Sequence, residues 1–513
     1  MSASTSPTQV RHSEGRVSFM YDPTRVFFNP TQVFNRDISV LAISAYLRGL
    51  RASSTTTMEE IRLIDCLSAS GLRAIRYMQE LPVDDQRIVI IANDISSQAT
   101  AAIAENAKVN VPKEGQKRLV ISCSDASKYL QECSYVPTQQ FHVIDIDPYG
   151  SPAPFIRAAL EASVNDGLLC ITATDGLVTC GRQSNECLIR YGCAAARSKV
   201  WCHEGSIRII IGHIAREAAM RRWSITPVLS FFKNHYLRTF CIVDKTHKYR
   251  AQTMFSSLAT VYHCQKCTFF CSQALSDTHL DVPTTCPYCG TSLSISGPMW
   301  WGSLHDREFI QACDLEHFSY LKSLDEIRGH LEYALAEVDA PPLSYLLNDI
   351  ASFMSVPSLQ TVSFCSVLER LGYTLAPTHS VPGGFKTNAP FKVIIGLMFL
   401  WYCLISSAKS NTKELQIDCH SISKFRISVD EAIMLLQKHF PELDPSIITP
   451  ILQTRMKALL GPEEPTLVSF LTLTDNAQLW FRRGHTSVDG KIKKRPINFK
   501  PNPEPNWGPK KAR

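Results

Sequence analysis

Asp147, Pro148 and Tyr149 stand in a row at the end of an apolar run, FHVIDIDPYGSPAP at residues 141–154. A carboxylate there can accept a hydrogen bond, and eventually a proton, from an exocyclic base amine. The carbonyl before or at the stiff proline can hold the second amine hydrogen, and the tyrosine ring can stack on a flipped base. The plainer reading is a tight turn after a core strand, with Asp147 capping the next helix. Two more acids stand at similar places. Asn93-Asp94 ends an apolar stretch 29 positions after Asp65, where an acid can accept both hydroxyls of a ribose. Asp125-Ala126 follows a third such stretch, where a carboxylate and a backbone N–H can read an adenine edge. One acid at a strand tip is usually a cap. Three at matching tips (Asp94, Asp125, Asp147) describe S-adenosylmethionine laid across one edge of a sheet, with Asp147 facing its methyl group. Between Asp65 and Tyr77 the small-residue turn CLSASG leads into a helix whose free N–H groups suit a carboxylate. It lacks GxGxxG, so a pyrophosphate cofactor is disfavoured.

These tips need a frame. Strand signals at 61–67, 87–92, 119–123, 141–146 and 168–173 alternate with helical stretches at 71–79 and 98–110. That rhythm predicts a parallel, doubly wound α/β sheet, a Rossmann-like arrangement. A helix over 204–223 and a strand pair, 225–232 and 236–244, then close the sheet. The expected division is a disordered start over 1–13, a catalytic α/β domain over 14–250, a C-terminal α+β domain over 251–490 and a basic tail over 491–513. That tail has eight Lys or Arg against one acid, Glu504, with many prolines, and reads as an extended arm.

Cys264-x2-Cys267 and Cys286-x2-Cys289, the second starting 19 positions after the first ends, suit a four-thiolate structural zinc site in a small lobe. Cys271 or His263 could replace one ligand, and free thiols are the plainer reading. A chain of 513 residues exceeds one compact core. Its 18 cysteines without an apolar leader argue for a reducing compartment. A net charge of +6 permits a nucleic-acid partner without demanding one. The apolar run 393–405 is shorter than a bilayer span, so a buried helix is expected and no membrane.

With these residues assembled, the chain resembles the tRNA (guanine-N2) dimethyltransferase family, which modifies guanine 26. The resemblance rests on FFNP at 27–30 with Asn35-Arg36-Asp37, SASGLRAIR at 68–76, Asn93-Asp94, DIDPYGSP at 145–152, CAAAR at 193–197, the cysteine knuckles, and KTNAP at 386–390. It implies cofactor binding by Arg36, Arg73, Asp94, Asp125 and Ala126. Asp147 and Pro148 would be the catalytic pair, and Phe27 and Tyr149 the rings that sandwich the guanine. It also implies transfer of one or two methyl groups from S-adenosylmethionine to N2, and a C-terminal domain that grips tRNA. A monomer is expected, in the nucleus, with mitochondrion and cytoplasm as alternatives. A DNA amino-methyltransferase and a non-catalytic RNA-binding protein that keeps the fold are the competing readings.

Overall fold

The computed structural model describes residues 10–21, 28–53, 60–81, 87–112, 115, 117–246, 254–279, 282–398, 485–486 and 492–493. Phe27, nearly all of the basic tail and the apolar run beyond residue 398 lie outside the described residues, whereas 391–398 are helical as expected.

The chain opens with a hairpin, β1 (Val10–Glu14) against β2 (Val17–Tyr21). Residues 10–13, expected to be disordered, are therefore ordered. Two amides supply the cause. Asn110 pairs with both backbone groups of Ser18 (2.9 and 2.7 Å), and Asn106 with both of Met20 (2.9 and 3.0 Å). These side chains stand in for a neighbouring strand and satisfy the hairpin's outer edge.

The helix Val33–Ser53 then leads into the main sheet: β3 (Ile61–Asp65), β4 (Ile88–Asp94), β5 (Leu119–Cys123), β6 (Phe141–Ile146), β7 (Ser163–Ala173), β8 (Ser224–Lys233) and β9 (Tyr236–Asp244). The seven strands run in the order β5-β4-β3-β6-β7-β9-β8. The first five are mutually parallel, and β9 lies antiparallel to both β7 and β8. All six residues of β6 are buried, as expected for a central parallel strand covered on both faces. From Val143 onward its apolar side chains alternate between two cores, Val143 in one and Ile144 and Ile146 in the other. Because β3 is flanked by β4 and β6, the chain reverses direction across the sheet between β3 and β6. Ligands bind at the carboxyl ends of strands at such a point.

Described residues from 254 onward share cores with the sheet domain. The sheet β11-β10-β12 (Phe270–Ala274, Leu258–His263, Ser294–Trp300) stacks on the helix Cys202–Ala219. The two approach so closely that a Cβ on Gly212 would lie 2.9 Å from the Trp300 nitrogen. Arg208 of that helix donates to the Trp300 and Gly302 carbonyls at 3.1 and 3.0 Å. The helix Leu324–Glu337 packs in the same core as Val33–Ser53. Among the described residues no helix is long and apolar enough to cross a membrane.

Candidate active site at the carboxyl edge of the sheet

Asp94 is the last residue of β4, Asp125 lies two beyond β5 and Asp147 directly follows β6. All three thus stand on one rim. Asn93 binds the loops of that rim together, donating to the Cys66 and Ser124 carbonyls at 3.0 Å each while its own carbonyl accepts from Ser68 N–H at 2.8 Å. Asp94 accepts from Ala69 N–H and Ser96 N–H, both at 2.9 Å, which fixes the turn after β3. Asp125 caps the helix Ala126–Ser134 through the Lys128 N–H at 2.9 Å, and Ala126 is buried behind it. Beneath them Asp65 is fully buried with one carboxylate oxygen unpartnered. Burial pushes its pKa up to about 7 against the pull of the Arg73 guanidinium, and the nearby Asp145 charge adds to the rise.

One residue, Ile146, separates Asp145 from Asp147. Asp145 is fully buried and receives Arg238 through 2.8 and 2.9 Å bonds, Tyr77 through its hydroxyl, and Arg73 at 3.5 Å. Burial works to raise its pKa, but the Arg238 and Arg73 guanidiniums prevail and hold it below the ordinary value. Ser39 accepts from both arginines (3.1 and 2.9 Å), and Thr172 accepts from Arg238 at 2.8 Å. Asp147 makes an ion pair with Arg73, yet its side chain keeps 23% exposure. It caps no helix, since the next one, Ala153–Ala162, begins after Pro152. Pro148 is buried and Tyr149 is 62% exposed. Gly150 makes the turn at φ +93°, a region closed to most side chains. Both its backbone groups bond Thr174, at 2.6 and 2.9 Å.

Arg36 stands in a neighbouring cluster, bidentate on Glu14 at 2.6 Å and 3.3 Å from the Asn29 carbonyl. Sequence reasoning missed Asp145, Arg238 and Tyr77 as a unit. The only available signal was a second acid inside an apolar strand.

A cleft of about 1560 Å³ is lined by Tyr149, Trp201, Phe232, Lys266 and Phe353, with Cys264 of the first knuckle also in its wall. The four knuckle cysteines converge. Cys264 and Cys289 lie 3.3 Å apart, Cys267 and Cys286 3.4 Å, and all four sulfurs fall within 4.8 Å of one another. His263 instead faces the Arg197 carbonyl at 3.3 Å, and Cys271 sits on β11. The donor set fits a tetrahedral zinc ion. Among the described residues, two further groups of three potential ligand residues escaped the spacing argument, Cys180 with Cys202 and His203, and His305 with Glu337 and His379. The second already holds the Lys386 ammonium 2.9 Å from Glu337.

A seven-stranded Rossmann-like sheet with this acidic rim defines an S-adenosylmethionine-dependent methyltransferase. The family model described as N2,N2-dimethylguanosine tRNA methyltransferase matches residues 7–399, and the chain belongs to that family. It is an enzyme that methylates the N2 of guanine in tRNA. A Schizosaccharomyces pombe tRNA (guanine(26)-N(2))-dimethyltransferase is 30% identical over 467 residues, covering 77% of this chain and 80% of that protein. The Methanobrevibacter smithii protein of the same name is 32% identical over 370 residues, covering 72% and 90%. Among solved structures, Trm1 from Pyrococcus horikoshii in complex with S-adenosyl-L-methionine superposes with a TM-score of 0.64 at 27% identity. That match covers 75% of this chain and 98% of the other.

Proposed function

We propose that this chain transfers one or two methyl groups to N2 of guanine 26 in tRNA, with Asp147 as the group that takes the amine proton. The observation that carries the assignment is the half-exposed tip of β6. Asp147 and Tyr149 face outward there, beside the point where the chain reverses across the sheet. Bound S-adenosylmethionine supplies an electrophilic sulfonium methyl and leaves as a thioether. The unpartnered buried oxygen of Asp65 fits its α-ammonium, Asp94 fits its ribose, and Asp125 with the Ala126 N–H fits its adenine. Arg73 completes this set. Arg36 belongs with it because its helix also carries Ser39, which bonds both Arg73 and Arg238.

The N2 lone pair is delocalised into the guanine ring, so the amine is a poor nucleophile. Asp147 accepts a hydrogen bond from N2–H, which localises the lone pair as the nitrogen becomes tetrahedral. As the nitrogen–carbon bond forms and the carbon–sulfur bond breaks, the N2 proton passes to Asp147 and then to water. The Pro148 carbonyl holds the other amine hydrogen, and Tyr149 stacks on the base, with Phe27 as the second ring. Alignment supplies much of the remaining acceleration. One N–H survives the first transfer, so a second is chemically open.

Mass spectrometry of guanosines from tRNA incubated with the protein tests this reading. Methylated guanosine at position 26 is expected, and its absence, or methylation of duplex DNA instead, sinks it. The four cysteines would hold one structural zinc per chain, closing all its positions. Metal analysis should give one equivalent, lost in Cys267→Ser. The C-terminal half is assigned to gripping tRNA, and a monomer is proposed. For compartment, the Lys491–Arg495 run supports import into the nucleus. A Saccharomyces cerevisiae relative, 29% identical over 459 residues, carries a mitochondrial name, which makes the mitochondrion the second candidate.

A further inference from the structure

The wall of the large cleft carries more positive charge than its own structure uses. Arg182, Arg197, Lys199 and Lys266 line it, all exposed, and none makes an ion pair among the described residues. The acids lining it are Asp349 and Asp175. Asp175 already accepts from Tyr191 at 2.7 Å and pairs with Arg190 at 3.4 Å. At about 1560 Å³ the cleft exceeds the roughly 300–1,000 Å³ of small-molecule sites. It also holds a parallel ring stack, His203 on Phe232 at 4.0 Å and 9°.

Two distant segments are locked together to build this wall. His263, next to the first knuckle, contacts the Arg197 carbonyl at 3.3 Å and packs edge-on to Trp201 at 5.0 Å. Inside the knuckle, Cys264 sulfur accepts the N–H of Lys266 at 3.4 Å and of Cys267 at 3.5 Å. Gln265 is pinned to Ser294 at 3.0 Å. The cysteine that would bind metal therefore also sets the backbone from which Lys266 projects.

We infer that the first cysteine knuckle and the 197–201 loop form a phosphate-binding wall that grips the tRNA strand flanking the target guanine. The inference rests on the tRNA methyltransferase reading and deepens it, since the metal lobe becomes part of the RNA contact. Unstacked, single-stranded nucleotides are what such a combination of cations and rings takes.

Binding of tRNA to the full-length protein, followed across a salt series, decides it. Lys266→Glu, and separately Arg197→Glu with Lys199→Glu, should weaken tRNA binding and raise its KM by on the order of tenfold. Each lost phosphate contact should lower the log–log salt slope by about 0.7–0.9. Affinity for S-adenosylmethionine should stay at the wild-type value, and Lys266→Arg should restore binding. Wild-type tRNA affinity and slope in the charge-reversed proteins would overturn the wall, as would loss of S-adenosylmethionine binding alongside tRNA binding, which marks a structural role. A wild-type protein that leaves tRNA unmethylated sinks the function itself. A wild type that methylates tRNA while the variants bind normally sinks only the wall.

Discussion

Two of the buried ionic clusters among the described residues differ in one instructive respect. Around Asp145, two arginines and a tyrosine surround a fully buried carboxylate, but Arg73 continues outward to the partly exposed Asp147. Around Lys386, the ammonium lies 2.9 Å from both Glu204 and Glu337, His379 adds a 2.8 Å contact to Glu337, and all four residues are buried. The first cluster ends at a surface where a substrate can arrive. The second joins the helices Cys202–Ala219 and Leu324–Glu337 to the strand Phe385–Thr387 and ends nowhere. An open cluster can lend a group to chemistry, whereas a closed one can only hold elements together.

Removing the open end should cost the most. Asp147→Ala is expected to lower kcat by about 10²–10⁴-fold, the range for a lost proton acceptor. Unfolding midpoint and S-adenosylmethionine affinity should stay near wild type, because Asp145 keeps Arg238 and Tyr77. Single-turnover methylation beside calorimetric cofactor binding separates the two readouts. Normal turnover would remove Asp147 from the mechanism.

Lys386→Met reverses the pattern. It leaves two buried carboxylates short of a cation, and losing one partner of a buried pair costs about 3–5 kcal/mol. Denaturant midpoints should fall accordingly, while turnover per folded molecule is retained. Acid titration sharpens the point. Burial works to raise both Glu204 and Glu337, but Lys386 with Arg208 holds the former, and His379 with Lys386 the latter, below the ordinary value of 4.5. A carboxylate depressed in the folded state stabilises above its unfolded pKa, and that contribution is lost as pH falls. Wild-type stability should drop below about pH 4.5, and the variant should show a shallower drop.

The two clusters also differ in how readable they were. The tips carrying Asp94 and Asp147 stood out because parallel strands buried on both faces are nearly continuously apolar, so an acid after them breaks the pattern. Asp125 instead follows the mostly exposed edge strand β5 and stood out by its register with the other two. Arg73 came from the family resemblance, and the structure joins it to Asp147. Arg238 could not be read, since it meets Asp145 across 93 positions, and Glu204 meets Lys386 across 182. The β1/β2 hairpin hid for a similar reason. Its edge is satisfied by Asn106 and Asn110, which sit in a helix some 90 residues later. The boundary expected at 250 followed from counting strands, and strand counting does not see that Met299, Ile310 and Leu331 share cores with the sheet. Periodicity reports which face of an element is buried and says nothing of its partner.

The smallest expected effect tests whether Asp65 belongs to the open cluster. Burial raises its pKa to about 7 from 3.8. For a carboxylate raised in the folded state, the charged form opposes folding, so its stabilising influence lies at low pH and fades as pH rises toward 7. A bound ammonium reverses that preference by pairing with the ionised form. S-adenosylmethionine affinity should therefore tighten between pH 5.5 and 7 by on the order of tenfold, one proton being released on binding. In that range the ligand's amino group stays protonated, below its ordinary pKa of roughly 7.7–8.0. Asp65→Asn should bind more weakly at pH 7 and show a flat profile. An Asn variant that retains the wild-type slope would place the titrating group elsewhere on the rim and leave Asp65 as scaffold.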